Sequence, residues 1–98
     1  MPWLPIKYRD FYDIPRAFTV EHGDTLYFFD CPFDPRADEF PDFYTVYRLP
    51  RQLTGQLDSM SWEDLASLGT VAGRVTTSLV KFDGSKRNYV DAEVFDHL

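Results

Sequence analysis

Two six-residue arms on either side of His22-Gly23-Asp24 constrain this chain more than any other feature. In the first arm, Arg16 to Glu21, Phe18 and Val20 point one way and Ala17 and Thr19 the other. In the second, Thr25 to Asp30, Leu26 and Phe28 share one side and Tyr27 and Phe29 the other. Period-two alternation on both sides of a short glycine-containing loop predicts a β-hairpin, with Gly23 where a positive φ is needed. The second arm is apolar on both faces, which predicts a central strand covered on both sides.

Prolines divide the rest of the chain. Pro32, Pro35 and Pro41 rule out a regular helix or central strand between Cys31 and Pro41, so that segment is an irregular connector. Alternation resumes from Asp42 to Leu49 and closes at Pro50. Before the hairpin, Ile6 to Tyr12 reads as an edge or half-exposed strand confined between Pro5 and Pro15. Its expected faces are Ile6, Tyr8, Asp10 and Tyr12 against Lys7, Arg9 and Phe11.

Residues 51–69 leave the β pattern. Ser61 followed by Asp64 has capping-box spacing, and Met60 and Leu65 hold hydrophobic-staple positions. Trp62, Leu65 and Leu68 form a stripe at helical spacing, and Gly69 fits just past the end. A helix over 61–68 follows, with Trp62 expected as the plug of a lid. Thr70 to Asp83 reads as one bent strand or two short ones, with Gly73 as a bulge. Asp83-Gly84-Ser85-Lys86 is a turn signal. Tyr89 and Val90 suit a last short strand, and Asp91 can cap a final helical turn with Val90 and Phe95 in staple positions.

These elements predict one domain over residues 1–98, mainly β. The expected form is a small, strongly bent antiparallel sheet or a partly open SH3-like barrel, with one or two short helices. Nine Phe, six Tyr and two Trp supply the core of such a domain. Cys31 is the only cysteine, so neither an intrachain disulfide nor a cysteine-rich zinc site can form. The first ten residues lack the apolar run and basic leader of a signal peptide, and no segment approaches the roughly 20 apolar residues of a membrane span. A reducing, cytoplasmic setting without membrane contact is the expectation.

The formal net charge of −6 is regional. Residues 10–42 carry nine acids against Arg16 and Arg36, whereas residues 43–98 are nearly balanced. Such a region repels a nucleic-acid backbone and attracts a basic protein or a cation. It also serves plain solubility. Asp30, Asp34, Asp38, Glu39 and Asp42, in and beside the connector, are therefore the candidate binding residues. They do not follow the spacing of an EF-hand loop.

Other chemistry finds little support. Along an extended arm, six residues at about 3.3 Å each put Cys31 roughly 20 Å from His22, which removes a thiol–imidazole pair. His97 lies near the chain end, and Cys31 beside a strand reads as a small buried hydrophobe. No nucleophile elbow, phosphate-cradling glycine loop or His-Glu-x-x-His helix occurs, and no spacing selects an acid/base pair from Asp13, Asp30 and Glu39. Tyr27, Phe29, Tyr44 and Tyr47 resemble stacking platforms for single strands, but they sit in the negative region and read as core. Lys81, Lys86 and Arg87 are too few and too interrupted for a nucleic-acid patch.

The leading expectation is a non-enzymatic interaction module, without cofactor or metal, that turns its acidic side toward a basic protein partner. An immunity- or inhibitor-type protein facing a basic toxin or nuclease is one instance. It would act as a monomer or weak homodimer. The alternatives are a small ligand-binding β-barrel and a metal-assisted enzyme using the acidic loop residues.

Overall fold

The structure is a computed structural model and describes residues 3–84 and 86–98. Six strands form one antiparallel sheet: β1 (Trp3–Phe11), β2 (Pro15–His22), β3 (Thr25–Asp30), β4 (Phe43–Leu49), β5 (Thr70–Thr76) and β6 (Tyr89–Asp91). Their order across the sheet is β5-β4-β3-β2-β1-β6. The mainly-β, antiparallel expectation holds, and the sheet stays open, with β5 and β6 as its two ends.

The hairpin forms as its pattern requires. Ala17 pairs with Asp30 and His22 with Thr25, and Gly23 turns the chain at φ +61°. β3 is covered on both sides, with Leu26, Phe28 and Phe29 all buried. One face of the sheet carries Phe18, Val20, Phe29, Tyr44 and Val46, over which the C-terminal part of the chain lays Val80, Phe82, Val94 and Phe95. The other face carries Ala17, Leu26, Phe28 and Leu49 beneath Leu57 and Leu65. Phe18 and Phe29 stack at 4.8 Å between centroids, and Tyr44 meets both edge-on. Full burial of such a ring contributes about 3 kcal/mol.

The second cover is built from short helical pieces. Residues 51–55 and 57–59 form 3-10 turns that the sequence left undefined. Arg9 reaches across from β1 to donate to the carbonyls of Leu57 (2.8 Å) and Met60, adding a second donor at Leu57 O, which already accepts from Met60 N at 3.2 Å. Helix α1 (Trp62–Leu68) then starts on the predicted capping box: Asp64 N donates to Ser61 Oγ at 3.2 Å, and Ser61 N to the Asp64 carboxylate at 3.5 Å.

Several details differ from expectation. Leu65, fully buried, is the plug of this lid, while Trp62 is 37 % exposed at the edge of the contact. A short helix buries only its central stripe position, and Trp62 opens the first turn. Gly69 ends α1 in extended backbone (φ −85°), not in a left-handed cap. A side chain there would put its Cβ 2.8 Å from Tyr47 Cβ, so the close approach of α1 to β4 requires the glycine. β1 begins at Trp3 and runs through Pro5, because the Trp3–Pro5 stretch pairs only with the short β6. A bulge at Arg9 shifts the register, so Asp10 pairs with Ala17 and joins the second face.

β5 carries the expected irregularity: Val46 pairs with Gly73 and Tyr47 with Val71, leaving Ala72 as the extra residue. β5 stops at Thr76, and a 3-10 turn follows over Thr77–Leu79. The turn expected at 83–86 includes Ser85, which lies outside the described residues. β6 forms as predicted, and Asp91 caps the last 3-10 turn by accepting from Glu93 N at 2.9 Å. Among the described residues, no helix is long and apolar enough to cross a membrane.

Candidate functional site

The connector between β3 and β4 is closed at its base by Cys31. The Cys31 N–H donates to Arg16 O at 2.7 Å, and its thiol reaches Pro41 O at 3.4 Å, so the two ends of the connector lie together. Cys31 is fully buried, and burial pushes its pKa up despite the neighbouring Arg16 charge. The thiol is therefore protonated at neutral pH and acts as a structural donor. His22 lies elsewhere, stacked on Phe95 at 4.2 Å.

Above that base the loop is held in one shape. Asp34 and Glu39 form a two-way backbone bridge with N–O distances of 2.9 and 3.3 Å. The Asp34 carboxylate accepts from the N–H groups of Arg36 (2.9 Å) and Ala37 (3.4 Å), which folds the turn around a side chain. Asp38 completes it at φ +55°, a conformation aspartate tolerates better than most residues. Asp34 is thus used up in shaping the loop. Asp38 and Glu39 are exposed, and their carboxylates have no hydrogen bond or ion pair among the described residues.

Three aromatic rings flank these acids. Phe40 packs against Tyr12 (5.5 Å) and edge-on against Phe33 (5.2 Å). Tyr12 is 73 % exposed and Phe33 47 % exposed, a large apolar outlay for a loop surface. From inside, the Arg16 guanidinium lies 4.3 Å from the Phe40 centroid. Arg16 is itself buried, pairs with Asp13 at 2.7 Å and donates to Cys31 Sγ at 3.5 Å. Burial of the Asp13 carboxyl opposes its ionisation, but the Arg16 hydrogen bond and charge outweigh this and hold its pKa below the usual value. Arg87 donates to the Asp13 carbonyl and ties this corner to the C-terminal part of the chain. Tyr12, Arg16, Phe33, Asp38, Glu39 and Phe40 together line a surface cleft of ≈ 570 Å³.

The five acidic candidates do not share one place. Asp34, Asp38 and Glu39 sit on the loop. Asp42 is exposed just before β4, its backbone carbonyl accepting from Thr77. Asp30 is half-buried on the second face of the sheet, where Asp10 and the first turn of α1 bring further carboxylates. Burial, reinforced by Glu63 and Asp10, raises its pKa to about 6. Among the described residues, no group of three or more His, Cys, Asp and Glu is gathered so as to hold a metal ion.

Tyr12, Arg16, Phe33 and Phe40 are the contributors that acid counting missed. The available signals were aromatic residues lying in a proline-broken loop rather than in a strand, and a lone arginine three residues after an aspartate. A different cleft, of ≈ 420 Å³, opens on the second face between β1, β2 and the 3-10 turns. Leu26, Leu57 and Thr19 line it, with Lys7 and Glu21 at its rim. Comparison of the chain with protein-family models, with curated proteins and with solved structures finds no significant match.

Proposed function

We propose that the chain is a binding module that docks a basic protein partner through the connector corner. The observation that carries this reading is the coincidence, at one braced corner, of exposed rings (Tyr12, Phe33) with carboxylates (Asp38, Glu39) that have no partner among the described residues. Protein interfaces concentrate their binding energy in aromatic anchors, with charge providing steering and register. The excess of acids over residues 10–42 selects the sign of the partner.

Titration of the isotope-labelled protein with a basic decapeptide tests this by NMR. Shift changes confined to Tyr12 and residues 33–42, and abolished at about 0.5 M salt, are expected, since screening is then short-ranged. Changes scattered over distant acids such as Asp24, Asp58 and Glu93, or no change at low salt, overturn it.

A second reading, a small-ligand binder, is supported by the ≈ 420 Å³ cleft, whose size and apolar floor suit a small molecule. A thermal-shift screen of small amphiphiles tests it, because a ligand that binds the native state must raise the melting temperature. Absence of any shift across the screen overturns that reading.

A further inference from the structure

We infer that the group received by the connector corner is an arginine side chain on a basic loop or peptide, stacked on Phe33 and Tyr12 and held by Asp38 and Glu39. This rests on the docking function proposed for the corner and specifies its chemistry. The chain already packs guanidinium groups on neighbouring phenylalanine rings: Arg16 lies 4.3 Å from the centroid of Phe40 in the same corner, and on β5 Arg74 lies 4.7 Å from that of Phe43. Phe40 thereby lies among its own arginine and the rings of Tyr12 and Phe33. A partner arginine entering the cleft would place a second guanidinium beside the outer rings.

The physical preference for arginine over lysine follows from hydration. A guanidinium is planar and weakly hydrated, so it lies flat on a ring and still presents N–H groups at its rim. An ammonium is compact and strongly hydrated, and it loses more on leaving water for an apolar wall. Neighbouring carboxylates reward the planar fork again, because it can donate two parallel hydrogen bonds. Around the corner stand five acids (Asp13, Asp34, Asp38, Glu39 and Asp42) against Arg16, Arg36 and Arg87, so an incoming cation is favoured even with those three present. The Arg16 charge is already matched by Asp13.

Preorganisation favours the same occupant. The Asp34–Glu39 bridge, the turn held by the Asp34 carboxylate and the Cys31–Pro41 contact fix the loop before any partner arrives. Little loop entropy then remains to be lost on binding. A nucleic-acid base could stack on the same rings, but its phosphates would meet Asp38 and Glu39.

Calorimetry with three decapeptides of one sequence, carrying arginine, lysine or citrulline at the basic positions, tests the inference at low salt. The arginine peptide is expected to bind more tightly than the lysine peptide, by up to about fivefold per stacked residue, the whole worth of an exposed cation–π contact being the ceiling. The citrulline peptide, equal in shape but neutral, is expected to lose most of the binding. Phe33→Leu keeps the apolar bulk without the π face, and it should erase the arginine preference while leaving the charge-driven part. Circular dichroism of Phe33→Leu confirms folding, and Tyr12→Phe, which keeps the ring, should preserve the preference. Equal binding of the arginine and lysine peptides, or a preference that survives Phe33→Leu, overturns the inference and leaves the docking function intact. Tighter binding of a single-stranded oligonucleotide than of the arginine peptide also overturns it. Failure of both cationic peptides to bind overturns the inference and the docking function together.

Discussion

Two sets of three rings, one inside the core and one at the connector corner beside it, contrast in a way that explains much of this molecule. Phe18, Phe29 and Tyr44 are wholly buried, with centroids 4.8 to 5.8 Å apart. Tyr12, Phe33 and Phe40 are spaced almost identically, at 5.2 and 5.5 Å, yet two of them stand in water. The residue types and centroid spacings are shared, so neither distinguishes core from surface. What differs is the backbone beneath. Regular strands carry the first set to the same face of the sheet, where the C-terminal segment covers it. The second set hangs from a strand end and a proline-broken loop, where among the described residues no segment buries Tyr12 or Phe33. Rings in the first place stabilise the fold, and rings in the second remain free for contact.

The contrast can be broken by mutation. Phe29→Ala should destabilise the protein by about 3–5 kcal/mol, because it removes transfer energy and leaves a cavity. Phe33→Ala should stay within about 0.5 kcal/mol, as surface changes usually do. Urea unfolding reads both, and comparable losses would show that the outer rings are core after all. The lid offers a smaller version of the same test. Leu65→Ala should cost about 2–4 kcal/mol and Trp62→Ala less than about 1 kcal/mol, the reverse of the order that side-chain size alone suggests.

Arg16 joins the two regions, since it is buried beside Cys31 and backs the Phe40 ring. Arg16→Met should cost only about 1 kcal/mol, because its partner Asp13 is largely exposed and methionine can fill much of the space. Chemical denaturation checks this, and a loss several times larger would mark the pair as a buried anchor.

The smallest effect concerns carboxylates, which divide as the rings do. Asp38 and Glu39 are exposed, whereas Asp30 is half-buried, and that burial raises the Asp30 pKa to about 6. The native state therefore binds more protons than the unfolded chain between the ordinary aspartate value and about 6. The stability associated with protonated Asp30 is fully present below that window and is lost as pH rises through about 6. At pH 7, Asp30→Asn should raise stability by about 1 kcal/mol, after discounting for its contact with water, and the gain should fade toward pH 4. A gain that does not change between pH 4 and pH 7 would rule out titration of Asp30 as its source.

Much of this was legible along the chain. The hairpin, the central position of β3, the capping box at Ser61 and the bulge at Gly73 each rest on residues within a few positions of one another. The acidity of the connector was legible too, as a count. The roles of individual acids were not. Asp34 is a loop-shaping group because the N–H groups of Arg36 and Ala37 turn toward it, and Asp30 faces the other side of the sheet because strand parity puts it there. The rings of the corner escaped notice because Tyr12 and Phe40 meet across 28 positions of sequence. The bulge at Arg9 was silent because residue alternation alone does not mark an extra residue in a strand with mixed faces.

Local pattern by itself determined the mainly-β class, the hairpin and its turn, the start of α1 and the sign of the charge near the connector. These depend on backbone conformation and side-chain alternation, which act over a few residues. Tertiary structure alone decided that the sheet stays open, that Leu65 rather than Trp62 closes the lid, that Gly69 is required by its approach to Tyr47, and that Tyr12, Phe33 and Phe40 gather beside Asp38 and Glu39. Each of those depends on which distant surfaces meet. Burial is a property of the assembled pair of surfaces, and neither surface carries it alone.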